Sequence, residues 1–174
     1  MAVFVLLLQL VMLCTPGLQG PGKATPAVGL TGAYAINDTA SDDINKAIET
    51  TVARVNFLLR PVARGRLRST NAQYKKIVIS NTETEISIIF DQHEAIKSPT
   101  DGTFVNWTRE DGERLKVSTL WKNRNLVQTL KAADGQRVNT FSLNADGHKM
   151  TMKVVVSGPR IPEPLSYSLV YKKL

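Results

Sequence analysis

Two histidines, one cysteine and a run of arginines are the residues in this chain that could do chemistry. His93 is followed by Glu94, but no second histidine stands three residues further on. The paired-histidine zinc pattern therefore fails, and His148 stands alone elsewhere. Cys14 is the only cysteine. It falls in an N-terminal apolar run, so a processed chain would hold no thiol for a disulfide, a nucleophile or a thiolate metal site. No Gly-x-Ser-x-Gly elbow, phosphate loop or dinucleotide fingerprint is present. Acidic residues sit singly, with nothing that marks a catalytic pair. The expectation is no metal, no cofactor and no catalytic residue.

The arginines are more informative. Arg54, Arg60, Arg64, Arg66, Arg68, Lys75 and Lys76 fall within 23 residues that contain no Asp or Glu. The whole chain is formally +7, so the remaining residues sum to zero. A localised basic segment attracts an anionic partner and speeds its encounter. Arg60, Arg64, Arg66, Arg68, Lys75 and Lys76 are the candidate anionic-surface residues. The expected partner is an anionic membrane or cell surface rather than nucleic acid, since the single Arg64-Gly65-Arg66 step is not repeated. The competing reading is a solvated basic loop with no partner.

Residues 2–14 carry no charge and have the length of a signal-peptide core, short for a membrane span. Small residues around Thr15–Gly20 offer a cleavage site. The expectation is a signal peptide over 1–20, a linker over 21–28, one domain over 29–174, and a secreted or periplasmic protein. Asn37-Asp38-Thr39 and Asn106-Trp107-Thr108 fit the N-glycosylation pattern.

The rest of the chain must position these groups. Asp111-Gly112, Asp134-Gly135 and Asp146-Gly147 separate alternating apolar and polar segments, the pattern of tight hairpin turns. Strands are expected at 29–36, 74–80, 84–91, 92–96, 103–109, 113–121, 125–132, 137–144, 149–157 and 165–172. Ser41 is expected to cap one amphipathic helix. Ile44, Ile48, Val52, Val55 and Leu59 form its apolar face, and Pro61 ends it. Gly158–Pro164 reads as a stiff loop. Ten antiparallel strands in so short a chain curl and close, which predicts a mainly β, up-and-down barrel with one helix inserted after the first strand. The runner-up is an open antiparallel sheet wrapped on the helix. The lack of a second long helix selects the barrel.

Leu126-Val127-Gln128, Asp134-Gly135-Gln136, Asp146-Gly147-His148-Lys149-Met150 and the ending Ser168-Leu169-Val170-Tyr171-Lys172-Lys173 resemble in spacing the final hairpins of the fatty-acid-binding proteins within the calycins. The resemblance covers the C-terminal 70 residues, and the remainder by layout alone. It implies a calycin-like barrel with a lipid-like ligand inside. In that family an Arg and a Tyr two residues apart on the last strand hold a lipid carboxylate. Tyr171 matches the Tyr, but Leu169 stands at the Arg position, and a second inward Arg would fall near Ser142. The lipocalin Gly-x-Trp is similarly matched only in part by Gly32-Ala33-Tyr34. These departures imply an uncharged or bulkier apolar ligand, with Arg137 as a substitute anchor.

The resulting expectation is a carrier of a small apolar ligand in the barrel interior. Ile88, Phe90, Trp121, Tyr167, Leu169 and Tyr171 are the candidate lining, Tyr and Trp offering an apolar body with a polar handle. For each, the alternative is plain core packing. The second reading is an interaction protein with a filled barrel that docks anionic surfaces through residues 54–76. The third is an enzyme on the same barrel, for which no residue argues.

Overall fold

The computed structural model describes residues 29–174; the expected signal peptide and linker lie outside them. The order is β1 (Gly32–Ile36), α1 (Ile44–Val52), α2 (Arg60–Thr70), then β2 (Lys76–Asn81), β3 (Glu85–Phe90), β4 (Ile96–Pro99), β5 (Val105–Thr108), β6 (Arg114–Lys122), β7 (Asn125–Ala132), β8 (Gly135–Leu143), β9 (Lys149–Gly158) and β10 (Ile161–Lys173). All ten strands lie in one antiparallel sheet, ordered β4-β3-β2-β1-β10-β9-β8-β7-β6-β5. The sheet curls into a nearly closed barrel, the architecture that the alternation and turn spacing predict.

β1 and β10 join the two ends of the chain. Tyr34 pairs with Lys173 and Ile36 with Tyr171. β1 stops there, but β10 still has backbone groups to satisfy. Residues 37–42 supply the partners. Asn37 N donates to Val170 O at 2.8 Å, and Asp42 N to Ser168 O at 2.9 Å. Val170 N donates to Ser41 Oγ at 2.9 Å, and Ser168 N to Asp42 Oδ2 at 2.7 Å. Ser41 is therefore a strand partner and not the helix cap. Asp43 caps α1 instead, accepting from Lys46 N at 3.1 Å.

The expected single helix is two. α1 buries Ile44, Ile48 and Val52 as its spacing requires, and Val55 is buried just beyond it. Leu59 is 52% exposed and does not continue that face. Pro61 starts a helix rather than ending one. Its fixed φ suits the first turn, where an N–H has no partner in any case. A 3-10 turn at Phe57–Leu59, capped by Asn56, leads into it. Arg60 closes the break by donating to Val55 O at 3.0 Å and Ala53 O at 2.7 Å, carbonyls that the end of α1 leaves unpaired.

Two turns also differ from expectation, and a third lies in the gap that the expected strands leave but is built without glycine. The β6–β7 hairpin turns on Asn123 and Arg124, with φ of 49° and 67° and no glycine. Gly112 and Gly147 have positive φ, but Gly135 does not; it is the first residue of β8. Its role is proximity: a Cβ there would lie 2.8 Å from Ser157 O, as one on Gly158 would lie 2.7 Å from Asp134 O. Finally, Gly158–Pro164 is no long loop. Pro159 and Arg160 make the turn, and Pro162 and Pro164 sit in β10 where its pairing with β9 is interrupted between Ile161 and Leu165.

β4 and β5, the sheet's two edges, do not pair. Ser98 and Thr119 hydroxyls meet across the gap at 2.6 Å, and Gly102 N donates to Thr119 O at 2.9 Å. Gly135→Ala should destabilise the fold by about 1–3 kcal/mol, because backbone, not a flexible side chain, must yield. Urea unfolding of the two proteins measures it; an unchanged midpoint would refute the close-approach account.

Candidate functional site

The barrel interior is filled at one end and open at the other. Inward positions on β6 to β9 are Leu115, Val117 and Trp121, Leu126, Gln128 and Leu130, Arg137, Asn139 and Phe141, and Met150, Met152, Val154 and Val156. Val117, Leu126, Phe141, Met150, Met152 and Val154 are fully buried in one core cluster with Tyr34, Ile77, Ile79 and Leu169. Toward the end of the barrel that carries α2, the side chains no longer meet. A cavity of about 390 Å³ lies there. Val62, Ala63, Leu67 and Thr70 of α2 form its roof, with Leu59 before them. Phe90, Ile96, Trp107, Leu115, Leu130, Val156 and Ile161 supply apolar walls. Volume and lining fall within the range of small-molecule sites.

The rim joins elements that the sheet leaves apart. The rings of Tyr74 and Phe90 lie 4.7 Å apart, tilted by 40°, and His93 stands edge-on to Tyr74 at 6.0 Å. His93 Nδ1 meets Glu110 Oε2 at 3.0 Å, linking the β3–β4 turn to the β5–β6 turn across the gap between β4 and β5. Arg109 is held by Asp111 and Glu113, the latter at 2.7 Å. The Arg109 hydrogen bond, with help from Glu113 N, holds the Asp111 carboxyl down to about 2.

The polar groups of the cavity centre on Arg137. Its Nε donates to Asn139 Oδ1 at 2.8 Å. Its Nη1 donates to Thr70 O at 3.1 Å and Asn71 Oδ1 at 3.2 Å, both at the C-terminal end of α2. Tyr167 OH donates to the same Asn71 oxygen at 3.0 Å. Burial raises the Tyr167 hydroxyl above its ordinary range, with Arg137 opposing the shift, so it is a neutral donor. Asn139 Nδ2 donates to Gln128 Oε1 at 3.0 Å. Four buried donors have no partner among the described residues: Arg137 Nη2, Gln128 Nε2, Trp107 Nε1 and Trp121 Nε1. Of these, Arg137 and Trp107 belong to the cavity wall.

Of the six lining candidates from the sequence, Phe90 is on the cavity wall. Ile88, Trp121, Tyr167, Leu169 and Tyr171 are buried in the core cluster and are not among the residues that line it. Tyr167 reaches the site's edge through Asn71, and Tyr171 OH donates to Tyr74 O at 3.2 Å. Sequence reasoning missed Asn71, Trp107, Leu115 and Leu130. Alternation puts Leu115 and Leu130 on the inward face, but not at which height the filling stops.

The basic segment is largely α2, and much of its charge is paired. Arg64 and Arg68 share Glu49 of α1 at 2.8 and 3.1 Å, which lowers the Glu49 carboxyl, Arg64 first. Arg66 pairs with Asp134 at 2.7 Å and Arg54 with Glu163 at 2.5 Å. Arg60 is spent on backbone carbonyls, and exposed Lys75 and Lys76 make no ion pair among the described residues. The acids that pair with this segment, Glu49, Asp134 and Glu163, come from other elements.

This geometry is that of a nearly closed, ten-stranded antiparallel barrel with two helices between its first two strands. Among solved structures it is similar to the REP1-NXSQ fatty acid transporter, with a TM-score of 0.54 at 15% identity over 83% of this chain and 96% of that one. It is also similar to human cRBP IV, with a TM-score of 0.52 at 14% identity over 83% of this chain and 98% of the other. No family model matches the chain, and no curated protein sequence does.

The Asp111 shift sets a pH dependence. Its folded value, about 2, lies below the ordinary 3.8, so the contact's stabilisation is complete above about 4 and disappears as pH falls through 2. A carbon-13 titration of the Asp111 carboxyl should give a midpoint near 2, rising toward the ordinary range in Arg109→Gln, where only Glu113 N still lowers it. A wild-type midpoint near 4 would show that the contact does not persist in solution.

Proposed function

We propose that this protein is a secreted or periplasmic carrier of a small, lipid-like apolar ligand, held in the barrel under α2. The observation that carries the reading is the half-filled interior: apolar side chains pack one end solid and line a cavity of about 390 Å³ at the other. The tail lies against Phe90, Ile96, Leu115, Leu130 and Val156, and the polar end faces Arg137 and Asn139. The likeness to a fatty acid transporter supports the reading, and the apolar run at residues 2–14 supports export. Access runs between α2 and the β3–β4 and β5–β6 turns. Native mass spectrometry of the purified protein, then organic extraction, should reveal a stoichiometric apolar molecule, or uptake of one added. A protein that excludes every apolar probe has a filled interior and is not a carrier.

A second reading rests on one specific observation. Phe57, Leu58 and Val62 are 69–71% exposed, and with Leu59 they form an apolar ridge where α2 begins. Such a ridge beside cations fits a membrane interface. The apolar part dominates, since each buried Phe or Leu contributes about 1.5–3 kcal/mol and each basic residue near an anionic surface about 1. With Arg64, Arg66 and Arg68 already paired and Arg60 bonded to backbone, Lys75 and Lys76 are left to select anionic lipid. The protein should co-sediment with phosphatidylcholine vesicles containing phosphatidylserine. Phe57→Ser with Leu58→Ser should weaken this about a hundredfold. Unchanged binding in that variant would remove the ridge from the account.

A further inference from the structure

Outside residues 54–76 the formal charges sum to zero, but that zero is made of two opposed blocks. Residues 82–113 carry eight Asp and Glu against two Lys and Arg, and residues 114–174 carry eleven Lys and Arg against three Asp and Glu. The fold puts the blocks on opposite sides of the barrel. The acidic block runs through β3, β4 and β5, and the basic one through β6 to β10. In the sheet order β8 lies opposite β3, five strands away in either direction around the nearly closed ring.

β6, β7, β8 and β9 contain no Asp or Glu. Their outward positions hold Lys116 and Lys122 on β6, Lys131 on β7, and Lys149 and Lys153 on β9, all exposed. Lys116 and Lys131 are cross-strand neighbours, as are Lys149 and Lys172 of β10. Like charges set directly opposite destabilise a sheet, and no lysine makes an ion pair among the described residues. Lys131 Nζ stands 4.6 Å from the centre of the Phe104 ring, a contact that leaves its charge unneutralised. Between the lysines the wall is neutral. Val127 and Thr129 of β7 pair with Thr140 and Val138 of β8, and Val138 pairs with Val155 of β9. A neutral centre with a charged rim is the layout of a protein interface.

The β2–β4 wall is its counterpart. Glu83 and Glu85 stand where β3 begins, and Asp91 and Glu94 just past its end. None of the four is in an ion pair among the described residues. Between them Val78 pairs with Ile89 and Ser80 with Ser87, again a neutral centre; Lys97, beside Ser87, is the one lysine of the block. Glu85 and Asp91 are six residues apart, as Lys116 and Lys122 are, which is about 20 Å along either wall. A membrane or a linear polyanion would meet the basic wall and leave the matched acidic wall unused, whereas a second copy uses both. We propose that the chain associates with itself, the β6–β9 wall of one copy docking on the β2–β4 wall of the next. Because the two walls lie opposite each other, the contact does not close, and the copies form an open row. Four strands by six residues give about 400 Å² per copy, half of the about 800 Å² that a partner buries in a standard interface. Each copy is also net positive. The association is therefore weak and held by charge. It goes beyond the carrier reading and stands without it, since the α2 end of every barrel stays uncovered.

Sedimentation equilibrium of the full protein tests this. In about 0.01 M salt, where charges act over about 30 Å, the average mass should rise with protein concentration; in about 1 M salt, where they act over about 3 Å, it should stay that of one chain. Two variants reverse one wall each: Lys116→Glu with Lys153→Glu, and Glu83→Lys with Glu85→Lys. All four side chains are exposed and make no ion pair among the described residues, so both variants keep the fold. Either variant alone should need about tenfold more protein to associate. Mixed in equal amounts they should associate again, the intact acidic wall of one meeting the intact basic wall of the other. A single-chain mass at every concentration in low salt would overturn the proposal. So would association that only one of the variants loses, or association that high salt leaves intact, which would assign it to the exposed ridge at Phe57–Leu59. A wild-type protein that stays monomeric while its basic wall binds phosphatidylserine vesicles would make an anionic membrane the partner in place of a second copy. Failure to take up apolar probes would count against the carrier reading alone.

Discussion

β10 pairs with β9 along most of its length and with β1 at its C-terminal end, so the first and last strands of the chain are joined in the middle of the sheet. An antiparallel sheet of ten strands has two exposed edges unless it closes, and exposed edges template aggregation. Here the gap between the edges β4 and β5 is bridged by side chains as much as by backbone, Ser98 to Thr119 and His93 to Glu110 beside Gly102 N to Thr119 O. Ser41 and Asp42 accept from β10 where β1 has run out, and that geometry delivers the chain into α1 above the barrel end. The position of both helices follows from this seam.

Closure also decides where the interior can be packed. Tyr34, Phe141, Met150 and Met152 are large enough to meet across the barrel end remote from the helices, and they exclude space there. Toward α2 the inward positions become Arg137, Asn139, Leu130 and Ala132, and the opposite walls no longer touch. A core and a cavity thus coexist within one sheet. The core supplies stability without a disulfide; the cavity is roofed by a helix that contributes only Leu67 to that core. Segments with few buried apolar contacts open at low cost, which suits a lid.

Electrostatics follow the same division of labour. Arg54, Arg64, Arg66 and Arg68 each have a carboxylate from another part of the chain and serve to hold helices and turns together. These pairs are exposed, so each contributes little, and salt screens them. Arg137 differs in that the acceptors it reaches, Asn139, Thr70 O and Asn71, are all neutral. The chemical character of the site depends on that single difference.

Period-two alternation and short turn signals determined the β class, the strand number and which residues face inward, because those patterns are local and repeat over nearly the whole chain. The helix insertion after β1 was legible for the same reason. Its division in two was not: Pro61 is compatible with either end of a helix, and only the packing of Val55 and the reach of Arg60 to Ala53 O select the start. The turn at Asn123-Arg124 fell in the gap between the expected strands, but its left-handed backbone was out of view because the hairpin imposes it rather than those residues preferring it. For the site, inwardness was readable and height was not. Whether Ile88 or Phe90, Phe141 or Asn139 borders open space depends on how far side chains from opposite walls reach across the barrel. The partners of the arginines were equally out of view, since Glu49, Asp134 and Glu163 come to them only once the chain has closed. The sequence alone thus determined faces and periods. Closure decided depth, charge pairing and the isolation of Arg137, because each depends on distances between residues far apart along the chain.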